Sequence, residues 1–423
     1  MDKIVVRGGV PLSGEVTVSG SKNAALPLLF ATLLTDEECH LGRVPRLVDI
    51  RTALRLLREL GAQCDWLTEN EVVVNSRTAQ HLEAPYELVK TMRASFLVLG
   101  PLLARFGKAR VSTPGGCAIG TRPVNIHLDG LQQLGATIRL QQGYVEAEAK
   151  RLRGAHIVLE FPSVGATENL LMAATLAEGT TVIENAACEP EIEDLATLLN
   201  AMGAQVSGAG SSTITIAGVT TLHGTTHEVI PDRVEAGTLL IAGAITSGRV
   251  FVRGARADHL GAFLDKLHDV GVQSIEQPEG IEIVRNGRPS SADVITWPYP
   301  GFPTDLQAQM MAFLALGDGR SLITETVFEN RFMHAQELTR LGANIQIRGN
   351  TAAVTGVAFL SGAPVMATDL RASVSLILAG LAAQGETEVS RVYHLDRGYE
   401  QLEAKLSQLG ANIRRVKSEK SEK

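Results

Sequence analysis

The amino-acid sequence predicts an α/β protein of two domains, each made of three pseudo-symmetric repeats of about 70 residues. Two observations carry this expectation. An apolar helical phrase, closed by glycine and followed by a strand, recurs six times at near-equal steps. A second apolar helical phrase precedes each copy, so helices and strands alternate throughout, which calls for helices layered on sheet.

The first phrase reads LLRELGAQC around Gly61, LQQLGATI around Gly135, LLNAMGAQV around Gly203, LDKLHDVGVQSI around Gly271, LTRLGANI around Gly342 and LSQLGANI around Gly410. Successive glycines lie 74, 68, 68, 71 and 68 residues apart. Leucines at i and i+3 or i+4 give each helix one apolar face. The glycine just past the last turn supplies the left-handed position that closes a helix. The second phrase starts near Ser21, Thr91, Thr167, Asp232, Thr304 and Thr368, all residue types that favour a helix N-cap. Thr304 with Gln307 also fits a capping box. Three units on each side place the domain division near Gly218–Pro231.

A chain of 423 residues is long enough for two such domains, each with a substantial core. The net charge of −7 and a pI near 5.9 give no basic footprint for nucleic acid, although local clusters of Lys and Arg can still hold an anionic substrate. The opening MDKIVVRGG lacks the pattern of a secretory signal, and no apolar run approaches a membrane span, so a cytoplasmic protein without membrane insertion is expected. Cys39, Cys64, Cys117 and Cys188 suggest neither a disulfide framework nor a CxxC site. The terminal KSEKSEK, residues 417–423, reads as a disordered tail.

Four places carry residues suited to chemistry. SGSKNAALP puts Lys22 and Asn23 in the first turn of a helix, where backbone N–H groups attract anions. A solvated lysine reads equally well there. VSTPGGCAIGTRPVNIHL, Val111 to Leu128, has the Gly and Pro content of a mobile loop. Cys117 sits in its middle with Arg122 nearby, a setting that favours the thiolate; the other three cysteines read as small buried hydrophobes. PYPGFPTDLQAQ places Asp305 in a first helical turn, where alone it reads as a dipole-favoured acid rather than a base. Arg93, Arg331, Arg371 and Arg397 fall near repeat boundaries, and pseudo-symmetry would gather these helix starts around a phosphorylated substrate; taken singly, each reads as a surface arginine. His127, His334 and His394 lie close to these segments. The sequence has no P-loop, no dinucleotide fingerprint and no clustered metal ligands, so no metal or cofactor is expected.

The ordered set GSKNAALP, MRAS, PGGCAIGTRPVNIHL, PSVGATEN, PDRVEAGT, PTDLQAQ, ETVFENRFMH and HLDRGYE resembles the UDP-N-acetylglucosamine enolpyruvyl transferase family, within the EPSP synthase superfamily, over essentially the whole chain. The resemblance implies the inside-out α/β barrel, with residues 22–230 as one domain and residues 1–21 joined to 231–416 as the other. It implies transfer of the enolpyruvyl group of phosphoenolpyruvate to the 3′-hydroxyl of UDP-N-acetylglucosamine, which opens peptidoglycan synthesis, and covalent inactivation by fosfomycin. It implies no cofactor and leaves the oligomeric state open.

Roles also follow from the resemblance alone. Cys117 becomes the general acid at C3 of phosphoenolpyruvate. Lys22, Arg122 and Arg397 grip phosphate and carboxylate, and Asp305 stands near the sugar hydroxyl as base. Asn23, Arg93, Arg122, Pro123, Val124, Asn125, Ile126, Ser163, Val164 and Val327 line the nucleotide-sugar site, with Arg331 and Arg371 in the same cleft. Phe161 stands near where some relatives carry a lysine at the diphosphate, and Cys188 where some carry arginine. Competing readings are the sister enzyme with a shikimate-type acceptor, a non-catalytic paralogue that binds nucleotide sugar, and, more remotely, an RNA 3′-phosphate cyclase.

Overall fold

A computed structural model describes residues 2–114, 124–328 and 330–417. Among these, residues 20–114 and 124–230 form one compact unit; residues 2–19 and 231–417 form the other. Each unit holds three four-stranded sheets of one plan. A short edge strand runs parallel to the second strand, and the second, third and fourth are antiparallel. Glu83–Ala84, Lys108–Ser112, Tyr144–Glu148 and Thr137–Gln141 make one such sheet.

The repeat phrase folds as its composition demands. Gly61, Gly135, Gly203, Gly271, Gly342 and Gly410 all take left-handed φ, between 85° and 102°. Each follows a helix and leads into the fourth strand of its sheet, as in Val48–Glu59, then Gln63–Trp66. These outer helices are amphipathic: Val48–Glu59 buries Ile50, Ala53, Leu54 and Leu57 and exposes Arg51, Arg55 and Arg58.

The other helix of each repeat is apolar on nearly every side, so it must lie inside. Lys22–Ala31, Leu99–Phe106 and Val164–Ala174 fill the first unit; Arg233–Ile245, Gln307–Leu314 and Ser373–Ala382 pack on one another in the second. Sheets cover these helices with one face and show the other to solvent.

Only some expected helix starts hold. Ser21 Oγ accepts from Ala24 N at 3.2 Å, and Asp232 Oδ1 accepts from Val234 N and Glu235 N at 2.9 and 3.0 Å. Thr91 instead precedes the 3₁₀ turn Arg93–Val98, and the α-helix begins at Leu99. Thr167 lies inside Val164–Ala174, where Ser163 is the cap and the Thr167 hydroxyl accepts from Ala187 N at 3.0 Å. Near Thr368 it is the neighbouring Asp369 whose side chain bonds the backbone, accepting from Arg371 N and Ala372 N at 2.8 Å in the turn before the helix Ser373–Ala382. The Thr304–Gln307 capping box does not form, because stronger partners, Glu325 and Arg331, engage the Thr304 hydroxyl.

In each unit, segments far apart in sequence complete the sheets. Lys3–Arg7 lies between Glu386–Ser390 and Asn412–Val416, antiparallel to both. Ser13–Thr17 is the parallel edge strand beside Arg249–Arg253. In the first unit, Thr226–Glu228 returns to pair with Glu38–Gly42. Among the described residues, no helix is long and apolar enough to cross a membrane.

Candidate active site

The candidate residues of the first unit gather at helix starts. Lys22 is the first residue of its inner helix and is 6% exposed. Its Nζ stands 3.6 Å from Asp49 Oδ2, a carboxylate buried on the next helix. Burial of a lysine beside one acid keeps the charge available to an anion while costing less than an unpaired charge. Asn23, beside it, is half-buried.

Val124 precedes the helix Asn125–Gln133, so Asn125 and Ile126 form its first turn, with Asn125 exposed. Ser163 caps the helix Val164–Ala174, its Oγ accepting from Ala166 N at 3.3 Å. The two starts are neighbours: a Cβ on Gly165 would stand 3.3 Å from His127 Cε1. His127 is held between them, Nδ1 facing Asn169 Nδ2 at 3.1 Å and its ring edge-on to Phe96 at 5.2 Å. The amide nitrogen can only donate, so the neutral His127 accepts at Nδ1 and carries its proton on Nε2. Burial, then the charge of Arg93, lowers its pKa to about 3, so the ring is neutral. Arg93 itself opens the 3₁₀ turn Arg93–Val98 and is half-buried. Two adjacent helix starts with nearby cations suit a phosphorylated ligand. Phe161 is exposed and supplies no charge. Cys117, Arg122 and Pro123 lie outside the described residues.

The second unit holds a denser cluster. Asp305 sits in the 3₁₀ turn Thr304–Leu306 that leads into Gln307–Leu314, with its side chain 25% exposed. Arg331 Nη2 reaches Asp305 Oδ1 at 2.7 Å, and Arg371 Nε stands 3.6 Å from Oδ2. Both arginines are buried, at 4% and 2% exposure. Burial opposes the Arg331 charge, yet Asp305, Asp369 and Glu325 outweigh it and raise its pKa. For Arg371 too burial is outweighed, chiefly by Asp232, then Tyr399 and Asp305. Arg371 also donates to Gly398 O at 2.9 Å and approaches Asp232 Oδ2 at 3.4 Å. Arg397 ends the nearby turn Val392–Arg397. Burial, followed by Arg397, lowers the pKa of half-buried His394. Val327 follows the strand Arg320–Thr324, and its N–H donates to Glu325.

Besides Arg331 and Arg371, Asp305 is organised by Gln309 and Tyr399, which the sequence pattern did not single out. Gln309 Nε2 donates to Asp305 O at 2.9 Å and lies 3.2 Å from the Tyr399 hydroxyl. Tyr399 is buried, which pushes its pKa up to about 12, and its hydroxyl is 3.0 Å from Thr238 Oγ1. Asp232 serves twice, capping a helix with one oxygen and facing Arg371 with the other. One signal was available: a carboxylate such as Glu325 or Asp49 set in an apolar stretch needs a partner. Among the described residues no group of His, Cys, Asp and Glu could hold a metal ion. Cys39 and Cys64 are buried on strands, and burial raises their thiol pKa, to about 12 for Cys64; burial raises that of half-buried Cys188 too.

The sequence profile of the EPSP synthase (3-phosphoshikimate 1-carboxyvinyltransferase) family matches residues 6–406. UDP-N-acetylglucosamine 1-carboxyvinyltransferase of Geobacter metallireducens is 56% identical over 417 residues, 99% of this chain and all of the relative. The protein of the same name from Geotalea uraniireducens is 57% identical over 416 residues, 98% of this chain and all of the relative. Among solved structures, the enolpyruvyl transferase NikO from Streptomyces tendae superposes with a TM-score of 0.90 at 27% identity, covering 99% of both chains. EPSP synthase from Acinetobacter baumannii matches with a TM-score of 0.77 at 18% identity, covering 99% of this chain and all of that one, which is a likeness of fold.

Proposed function

The chain belongs to the EPSP synthase family of carboxyvinyltransferases, and from that premise we propose that it transfers the enolpyruvyl group of phosphoenolpyruvate to the 3′-hydroxyl of UDP-N-acetylglucosamine, releasing phosphate. This is the first committed step of peptidoglycan synthesis, carried out by a cytoplasmic enzyme. One observation carries the choice of acceptor: identity of 56–57% over nearly the full length with relatives named for that reaction.

The reaction is an addition followed by an elimination. The sugar oxygen bonds to C2 while C3 takes a proton, giving a tetrahedral adduct. The C2–O bond to phosphate then breaks and C3 gives up a proton, which restores the double bond. We assign Cys117 as the acid at C3. Lys22, Arg122 and Arg397 are assigned to the phosphate and carboxylate, whose charge they neutralise as phosphate leaves.

Asp305 is assigned as the base. Two guanidiniums favour its charged form and so weaken it as a base. A weak base suffices here. Once the alcohol oxygen bonds to the cationic C2 centre its proton becomes strongly acidic, and a carboxylate within reach can accept it. Arg331 and Arg371 hold that carboxylate, while the nucleotide-sugar positions from Arg93 to Val327 orient the acceptor.

The test is phosphate release from phosphoenolpyruvate, alone, with UDP-N-acetylglucosamine and with shikimate 3-phosphate. Release only with the nucleotide sugar is expected. Release only with the shikimate compound would move the chain to the sister reaction; release with neither would make it a binding paralogue.

A further inference from the structure

We propose that Glu325 and Thr304 are positioning residues that form a hydrogen-bond relay, Glu325 to Thr304 to Arg331, which aims the Arg331 guanidinium at one oxygen of Asp305. The proposal rests on the reading of Asp305 as the base.

Glu325 is 1% exposed and follows the strand Arg320–Thr324. Its carboxylate accepts four hydrogen bonds. Oε1 receives Thr296 Oγ1 at 2.8 Å, Val327 N at 2.9 Å and Phe328 N at 3.1 Å. Oε2 receives the Thr304 hydroxyl at 2.9 Å. The two oxygens therefore do different work: one folds the turn that carries Val327, the other reaches across to Thr304.

A hydroxyl has one proton and two lone pairs, and an ionised carboxylate can only accept. Glu325 therefore takes the Thr304 proton and turns the lone pairs outward. Arg331 Nη1 donates to them at 2.9 Å, and its Nη2 then meets Asp305 Oδ1 at 2.7 Å. A guanidinium is a planar fork, so fixing one arm fixes the other. The outcome for Asp305 is asymmetric. Oδ1 takes the close contact from Arg331, while Arg371 Nε faces Oδ2 at 3.6 Å. The relay thus fixes the direction from which Arg331 holds the Asp305 carboxylate, and it ties that geometry to the turn that carries Val327.

Thr304 belongs only to the relay arm, so Thr304→Val removes the hydroxyl at nearly constant shape and leaves the Val327 turn intact. We expect kcat of the full-length enzyme to fall about ten- to a hundredfold, the loss that a misplaced catalytic group brings, with KM for phosphoenolpyruvate little changed. The acid limb of the kcat–pH profile should move to higher pH, because Asp305 with a loosely held Arg331 is the stronger base. Thr304→Ser should restore both. In an Arg331→Met background, Thr304→Val should add nothing, since the relay acts through that arginine. Wild-type kcat and pH profile in Thr304→Val, beside an inactive Asp305→Asn, would overturn the relay alone. Additive losses in the Arg331→Met background would do the same. Wild-type turnover by Asp305→Asn would overturn the base reading, and the relay with it.

Discussion

Asp305 pairs with Arg331 through one oxygen and faces Arg371 with the other, so removing its charge leaves two buried guanidiniums with less compensation. We predict that Asp305→Asn still binds phosphoenolpyruvate in calorimetry while turnover drops roughly 10²–10⁴-fold, the range for a lost general base. Cys117→Ser should slow turnover to a similar degree, keep its circular dichroism spectrum, and give no fosfomycin adduct by intact mass, whereas the parent adds one at Cys117. An adduct on another cysteine would remove Cys117 from its assigned role. A third residue makes a prediction about stability. Glu168 lies in the inner helix Val164–Ala174 at 4% exposure, and burial, reinforced by Glu191 and Glu189, raises its pKa well above 4.5. The unfolded chain ionises it near the ordinary value while the folded chain keeps its proton, so its contribution is full below about pH 4.5 and is lost as pH rises through the folded pKa. Glu168→Gln should flatten that decline in urea midpoints taken from pH 4.5 to 8. An unchanged slope would show that another group causes it.

Helices and turns show which local rules were decisive. Gly135 takes φ of +94° with open space where a Cβ would go, so Gly135→Ala should cost about 1–2 kcal/mol, from the left-handed backbone alone. At Gly20 a Cβ would stand 1.7 Å from Arg43 O, and Gly20→Ala should cost more than about 3 kcal/mol by urea unfolding. Equal losses at the two sites would argue against the steric account. The six closing glycines were legible because a helix end needs that conformation whatever surrounds it. Helix starts were legible at Ser21 and Asp232, where the side chain bonds its own first turn. They were not at Thr91, Thr167, Thr304 and Thr368. For Thr167 and Thr304 the hydroxyls serve partners from other segments, a choice that no local pattern encodes.

At the scale of the molecule, the first residues belong to a unit made mostly of the last. Removing residues 1–18 deletes the strand between Glu386–Ser390 and Asn412–Val416 and the edge strand beside Arg249–Arg253. The two flanking strands would lose their ladder partners. We predict that the truncated chain is cut by protease within residues 231–417 while residues 20–114 and 124–230 stay resistant; equal resistance of both would refute this. By itself the sequence determined the six repeats, their α/β layering and the family, and it supplied the residue types of the candidate site, because periodicity, turn glycines and motif order are written along the chain. Only the tertiary structure decided that Asp305 meets Arg331 and Arg371, that Glu325 reaches Thr304, and that Asp232 answers Arg371. Arg371 comes from a different repeat than Asp305 and Asp232, while Arg331 and Glu325 reach Asp305 and Thr304 across their own repeat; each meeting depends on how buried helices and turns pack, where each charge is held by whichever partner desolvation leaves within reach.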